Sequence, residues 1–301
     1  MEKNLVVLAG PTAVGKTACG IHLANHFHTD IISADSRQIY RETTIGTAVP
    51  SPAELNQVKH HFIQTDSLEN PFHASRYEQE VLELLEKLFK KLDLVIMVGG
   101  SGLYIDAVCD GIDELPTADP TLRAKLADQY KRDGLEPLTR QLKELDPVSH
   151  GRIDLFNHMR VLKALEVSIQ TGKPYSGFLS AQKKTRPFNI HRVALDMDRE
   201  KLYGRINNRV DQMMAEGLLD EVRQLIPLKG QTAMKTLGYR ELFRHLEGEI
   251  SLDEAIDLIK RNTRKFSRKQ LTWFRKGDKY TWFHPEQTEE IATWIEQQAY
   301  L

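Results

Sequence analysis

The stretch Gly10-Pro11-Thr12-Ala13-Val14-Gly15-Lys16-Thr17 constrains this chain more than any other part of it. It matches the pattern GxxxxGK[ST] and lies between the apolar run Leu5-Val6-Val7-Leu8-Ala9 and Ala18-Cys19-Gly20-Ile21-His22-Leu23-Ala24, the strand-turn-helix setting the pattern requires. Two glycines let the backbone fold tightly enough to aim several N–H groups at one anion. Lys16 adds a positive charge, and Thr17 offers a hydroxyl to a bound Mg²⁺. Four constrained positions in the right setting make a chance match in a glycine-containing turn a poor explanation. The expected architecture is α/β, a P-loop NTPase-like parallel sheet flanked by helices, that holds a phosphate or diphosphate.

The chain has 301 residues, enough for one large domain or two smaller ones with a core. A net charge of -1 argues against a wholesale polyanion binder but leaves room for a local basic face. Cys19 and Cys109 stand without CxxC or Cys/His spacing, so neither a disulfide framework nor a structural zinc is expected, and a reducing cytoplasm fits. No cleavage region of a signal peptide precedes the first strand and no apolar run approaches a membrane span, so no membrane partner is expected. Nothing suggests an obligate dimer, and a monomer is expected.

Asp30-Ile31-Ile32-Ser33-Ala34 reads as a second strand, and Asp35-Ser36-Arg37-Gln38-Ile39-Tyr40 follows at its carboxyl end, where open α/β sheets bind ligands. Ser75-Arg76-Tyr77-Glu78 reads as a capping box, followed by helical apolar spacing to the buried strand Leu94-Val95-Ile96-Met97-Val98. The turn after it is Gly99-Gly100-Ser101-Gly102, so the acidic Walker B partner of an NTPase is missing from its usual place. From Thr117 the texture becomes helical. Asp119-Pro120 and Asp146-Pro147 read as N-caps followed by a first-turn proline, and Met159, Leu162, Leu165 and Ile169 form an apolar stripe. This predicts a helical insertion at 117–186 in a core made of 1–116 and 187–301.

Ile190-His191-Arg192-Val193-Ala194-Leu195 restores a strand, and the helix from Arg199 carries Arg205 and Arg209 four apart. A solvated helix face explains those arginines as well as phosphate contact does; their place after a core strand favours phosphate. Ser251 and Glu254 open a C-terminal helix with Leu252, Ala255, Ile256, Ile259, Phe266, Trp273 and Phe274 as its expected core face. From Lys260 to Lys279 only Asp278 opposes a run of basic residues, and Arg261, Arg264, Lys265 and Arg268 share a stripe suited to a polyphosphate backbone. Three readings stand at this point: a P-loop small-molecule or nucleotide kinase, an RNA-modifying enzyme that holds a diphosphate leaving group, and a nucleotide-dependent switch. The missing Walker B acid weakens the last.

Gly10 to Thr17, Asp35-Ser36-Arg37-Gln38-Ile39-Tyr40, Ile45-Gly46-Thr47-Ala48, Val98-Gly99-Gly100-Ser101-Gly102-Leu103-Tyr104, Ala118-Asp119-Pro120, Arg160 with Ala164-Leu165-Glu166-Val167, Gly238-Tyr239-Arg240-Glu241 and Gln270-Leu271-Thr272-Trp273-Phe274-Arg275 together resemble the bacterial tRNA dimethylallyltransferases. The blocks run in order over nearly the whole chain. Val49 stands where that family often has lysine, and Lys269 where it often has arginine. The resemblance implies transfer of a dimethylallyl group from dimethylallyl diphosphate to N6 of the adenosine on the 3′ side of the anticodon, with Mg²⁺ as cofactor and tRNA as partner. It implies diphosphate binding by Gly10, Pro11, Thr12, Ala13, Val14, Gly15, Lys16, Thr17 and Arg209, with Arg205 a second candidate, and Mg²⁺ at Thr17. Catalysis would fall to Asp35, Thr17, Lys16 and Arg209. Contact with tRNA would fall to Asp35, Ser36, Arg37, Gln38, Ser101, Arg123, Met159, Arg160, Val161, Leu162 and Lys163, joined on charge grounds by Arg264 and Arg268.

Overall fold

The computed structural model describes residues 2–299 apart from 71, 114, 118, 181 and 182. Ala118, which opens one of the resembling motifs, lies outside the described residues. The chain divides into two compact units, Met1–Asp110 with Thr185–Leu301, and Gly111–Lys184.

The larger unit begins with β1 (Asn4–Ala9), α1 (Lys16–His26), β2 (Ile31–Ala34), the single turn α2 (Pro52–Leu55), the two-residue β3 (His60–His61), α3 (Ala74–Leu88), β4 (Leu94–Gly99) and α4 (Gly102–Asp110). The smaller unit contains α5 (Pro120–Asp133), α6 (Glu136–Leu145), α7 (Pro147–Arg152) and α8 (His158–Thr171). The chain then returns to the larger unit through β5 (Asn189–Leu195), α9 (Arg199–Ala215), α10 (Leu218–Gln224), α11 (Tyr239–Leu246), α12 (Leu252–Phe274), β6 (Thr281–Phe283) and α13 (Thr288–Ala299).

The strands form one sheet in the order β3-β2-β4-β1-β5-β6, and every pairing is parallel. β1 lies between β4 and β5, with Asn4 registered against Leu94 on one side and Asn189 on the other. Covered on both faces by helices, the strand reads as an unbroken apolar run, and Leu5 through Ala9 are fully buried. One core layer joins Leu8 of β1, Leu23 of α1, Val193 of β5, Ile206 of α9 and Ile291 of α13. The smaller unit has its own core of Leu126, Leu138, Leu142, Val161, Ala164 and Leu165.

Several local expectations are corrected. The N-cap of α3 is His73, whose ring nitrogen accepts from Arg76 N at 3.3 Å, while Ser75 already sits in the first turn. His73 has the extended backbone that a cap needs and its imidazole can do a serine's work. In α8 the inward residues are Val161, Ala164, Leu165 and Ser168, and Met159 is 56% exposed, because apolar residues cover more of this helix than one face can bury. In α12, Ser267 and Gln270 are buried in place of Phe266 and Trp273; this stretch packs on polar backbone and needs a small or hydrogen-bonding residue. Trp273 instead donates from Nε1 to Asp106 Oδ2 at 2.9 Å. Nor is α12 the last element: β6 adds an edge strand beside β5, and α13 packs on α1. The N-caps at Asp119, Asp146 and Ser251 accept from Thr121 N, Ser149 N and Glu254 N.

Candidate active site

The turns after β1, β2 and β4 line one side of a cavity of about 720 Å³ in the larger unit; α9, the segment before α11 and α12 line the other. Parallel sheets bring ligands to this end because their turns and helix N-termini open there.

The phosphate loop runs 10–17. Gly10 passes so close to β5 that a Cβ would stand 2.9 Å from Leu195 O, and Gly15 has φ +113° beside the Arg205 guanidinium. Ala13 accepts a left-handed φ of 64°, a strained conformation that fits a loop wrapped around an anion. α1 has no side-chain cap at Gly15, so its first-turn N–H groups and the positive end of its dipole are left for a ligand. Lys16 Nζ donates to Pro11 O at 2.7 Å. Burial lowers the Lys16 ammonium to about pKa 7, offset in part by the attraction of Asp35 and reinforced by the repulsion of Arg209.

Arg209 projects from α9 into the same space. Burial lowers its pKa as well, and its guanidinium makes no ion pair or hydrogen bond among the described residues; Arg205, one turn earlier, is likewise unpaired. Arg205 is exposed, but Arg209 is half-buried, and a partly buried cation without a partner is costly unless an anion arrives to share the site.

Asp35 leaves the end of β2 and lines the cavity. Its Oδ1 accepts from Arg37 N at 2.8 Å and Gln38 N at 3.4 Å, whereas Oδ2 makes no hydrogen bond among the described residues. The residue is therefore both a turn cap and a carboxylate with a free acceptor. Ser101, after β4, accepts from Ser36 N at 3.0 Å and joins the two turns. Val98, Gly99, Gly100 and Ser101 line the cavity where β4 ends, and no carboxylate stands among them.

Gln270 fixes α12 to this floor: Oε1 accepts from Thr12 N at 2.9 Å and Nε2 donates to Gly100 O at 2.9 Å. The cations that line the cavity from this side are Lys265 and Lys269, joined by Lys235 and Arg240. Arg264 donates to Asn207 Oδ1 at 2.6 Å and Arg268 is exposed; neither lines the cavity. Lys260, Arg275 and Lys279 pair with Asp211, Asp196 and Asp110, so part of the basic excess is neutralised within the chain.

In the smaller unit, Arg123 and Lys163 both approach the buried carboxylate of Glu166, at 3.5 and 2.9 Å. Arg160 and Met159 are exposed beside them and Leu162 is half-buried. Val161 is fully buried in that unit's core, which removes it from any contact surface in this conformation.

The sequence model of the IPP transferase family matches residues 38–277. A tRNA dimethylallyltransferase 1 of Bacteroides thetaiotaomicron is 49% identical over 295 residues, covering 98% of this chain and 96% of its own. The chain belongs to the tRNA dimethylallyltransferase family. A relative in Flavobacterium johnsoniae is also 49% identical, with 93% of each chain covered. The solved tRNA isopentenylpyrophosphate transferase of Bacillus halodurans aligns with TM-score 0.73 at 34% identity, over 100% of this chain and 97% of that one. A eukaryotic dimethylallyltransferase acting on tRNA shares the fold at TM-score 0.79 and 24% identity, over 99% of this chain and 77% of that one.

Within a tRNA dimethylallyltransferase, the cavity brings together Thr12, Ala13, Gly15, Lys16 and Thr17 of the phosphate loop, Asp35 to Gln38, Ser101 and Arg209; Gly10 and Pro11 do not line it, and Val14 is buried in the core. It also contains Lys235, Thr236 and Asn262, which the sequence did not single out, Arg240 and Lys269, which it quoted without a binding role, and Lys265, the one member of the expected basic stripe that lines the cavity. Lys265 and Lys269 had a readable signal, four residues apart on a basic helix; the face could not be chosen without knowing that α9 takes Arg264.

Proposed function

We propose that this enzyme transfers the dimethylallyl group of dimethylallyl diphosphate to N6 of the adenosine 3′-adjacent to the anticodon in tRNA, releasing diphosphate. The observation that carries this reading is the pairing of an anion cradle, Lys16 with the unpartnered Arg209, with the free carboxylate oxygen of Asp35 in the same cavity.

The adenine N6 lone pair is delocalised into the ring, so the amine is a weak nucleophile and the protein must improve the leaving group and the geometry. As N6 forms its bond to the allylic carbon, the C–O bond breaks and its electron pair goes to the diphosphate. The loop N–H groups, Lys16 and Arg209 are fixed where that charge grows. Asp35 Oδ2 takes the proton that N6 must lose. The missing acid after β4 fits, because no γ-phosphoryl group is transferred.

Among the described residues no cluster of three or more His, Cys, Asp or Glu side chains could hold a metal, so a dedicated protein cage is not available. The residues fit a Mg²⁺ carried largely by diphosphate oxygens, with Thr17 supplying the protein hydroxyl. When bound, the ion would neutralise charge on the departing diphosphate.

For the acceptor, the base must leave its stack to reach the cavity, as loop recognition in RNA generally requires. Ser36, Arg37, Gln38 and Ser101 would receive it. Arg123, Met159, Arg160, Leu162 and Lys163 would contact the anticodon stem-loop from the smaller unit, and the basic side chains of α12 would follow the phosphate backbone. The reaction would run in the cytoplasm, and no helix among the described residues is long and apolar enough to cross a membrane.

The test is incubation with unmodified tRNA and labelled dimethylallyl diphosphate. Label should enter tRNA at the adenosine beside the anticodon. Label in no RNA, with phosphate transfer from ATP to a small acceptor, would return the chain to the kinase reading.

A further inference from the structure

We propose that Glu221 is a positioning residue for the acceptor side of the cavity, acting through the backbone of residues 44–48; this rests on the dimethylallyl transfer proposed above. Glu221 lies on α10 and does not line the cavity. Its carboxylate nevertheless collects four donors. Oε2 accepts from Thr44 N at 3.0 Å and Ile45 N at 2.8 Å, and Oε1 accepts from Gly46 N at 3.0 Å and the Tyr239 hydroxyl at 2.7 Å. Three successive amides converging on one anion form a backbone nest whose ligand is the protein's own side chain.

The segment needs such a tether. It belongs to no helix or strand, and Ala48 sits at φ +50°, which an alanine adopts only when its surroundings impose it. Tyr239, fully buried, fixes the other side: a Cβ on Gly46 would stand 2.6 Å from its ring, so only glycine lets the backbone lie against it.

From this anchor a chain of hydrogen bonds leads to the proposed base. Thr47 O and Ala48 O accept from Gln38 Nε2 at 3.1 and 2.8 Å, and Thr43 Oγ1 donates to Arg37 O at 3.2 Å. Arg37 N and Gln38 N are the two donors that orient Asp35. Gly46, Thr47, Gln38 and Asp35 all line the cavity. The phosphate loop at 10–17 has no hydrogen bond to Glu221, so the carboxylate acts on the acceptor wall and leaves the diphosphate cradle alone.

The experiment measures kcat and the KM of each substrate for the wild type, Glu221→Ala, Glu221→Gln and Tyr239→Phe, with melting temperature and amide hydrogen exchange on the same samples. Glu221→Ala should lose roughly 10- to 100-fold in kcat with the KM for dimethylallyl diphosphate within about twofold, as expected when a reacting group is misplaced. Glu221→Gln keeps one accepting oxygen and should fall between wild type and alanine; Tyr239→Phe, which keeps all three amide bonds, should lose least. Exchange in Glu221→Ala should quicken over 44–46 and reach 35–38 while 10–17 stays protected. Wild-type kcat in Glu221→Ala, unchanged exchange at 44–46, or a parallel loss of kcat, donor KM and melting temperature would overturn the proposal. If the wild type itself leaves tRNA unlabelled, the functional reading fails, and amide exchange still decides whether Glu221 orders the path to Asp35.

Discussion

Gln270 accepts a hydrogen bond from the backbone of Thr12 at 2.9 Å, so a helix from the last fifth of the chain holds the phosphate loop at its start. The same amide group donates to the buried carbonyl of Gly100. Gln270→Leu would strand both backbone groups at a cost of about 1–3 kcal/mol. The KM for dimethylallyl diphosphate should rise about tenfold with folding retained. An unchanged KM would mean the loop keeps its shape without the tether.

The turn cap made by Asp35 and the proton transfer proposed for it can be separated by substitution. Asparagine retains an oxygen for Arg37 N and Gln38 N and cannot take a proton, whereas alanine loses both. Asp35→Asn should reduce single-turnover rates by about 10² to 10⁴ while tRNA affinity changes little. Wild-type rates in Asp35→Asn would leave the residue with its turn alone.

Lys16 should make diphosphate binding depend on pH. Its ammonium is lowered to about 7 by burial, so above that pH the lysine is mainly neutral, and an arriving anion restores its proton. Pyrophosphate binding at pH 8 should take up a proton, and affinity should weaken from pH 7 to 9. The sign for folding is the same group seen from the unfolded chain. With an ordinary value of 10.5 there, the unfolded state binds more protons between about 7 and 10.5, so this residue makes the fold gain stability as pH rises through that window. Calorimetry in buffers of different ionisation enthalpy reads the proton directly; Lys16→Met should abolish the uptake.

On α12 the structure separates cations that face the cavity from those that do not. Replacing Lys265 and Lys269 together with alanine should lower tRNA affinity and flatten the slope against log salt by about 1.5, near 0.7–0.9 for each lost phosphate contact. Arg264→Ala should change the slope less, since that guanidinium is held by Asn207. Equal slopes in both would show that the RNA follows a different face of the helix.

Asp146 is fully buried in the smaller unit and accepts from Ser149 N, Ser176 N and the Ser176 hydroxyl. Burial would raise its pKa, but these hydrogen bonds outweigh burial and hold it below the ordinary carboxylate value. A depressed carboxylate contributes stability above its unfolded pKa and loses it as pH falls through the folded value, so this contribution should be complete above about pH 4 and fade progressively below it. Asp146→Ala should cost about 1–3 kcal/mol at neutral pH in urea unfolding, with a shallower acid dependence than wild type. Wild-type acid dependence in the variant would assign the acid transition to other groups.

What could be read in advance was contiguous in the chain. The phosphate loop, the apolar strands β1 and β4, strand β5, and the proline-marked starts of α5 and α7 each depend on residues within a few positions of one another. What escaped depends on partners far away. The inward face of α12 is set by Thr12 and Gly100, and the order of residues 44–46 is set by Glu221, 175 positions from Gly46. The resemblance puts Val161 on a tRNA-binding surface as part of the segment 159–163, although packing with Leu142 and Leu165 turns it inward. Periodicity ranks faces by composition; only the packed partner chooses among them.

The central place of β1 in the sheet also governs how this protein comes to be assembled. β1 precedes the other strands of this sheet in the chain, yet it is flanked by β4 and by β5, whose first residue is Asn189. No hairpin can form early to nucleate such a sheet; closing it requires contacts across most of the chain, which slows folding and leaves an apolar strand unsatisfied meanwhile. Synthesis of this enzyme should therefore lean on chaperones, and a ribosome-bound fragment that stops before β5 should hold its phosphate loop without a formed anion site.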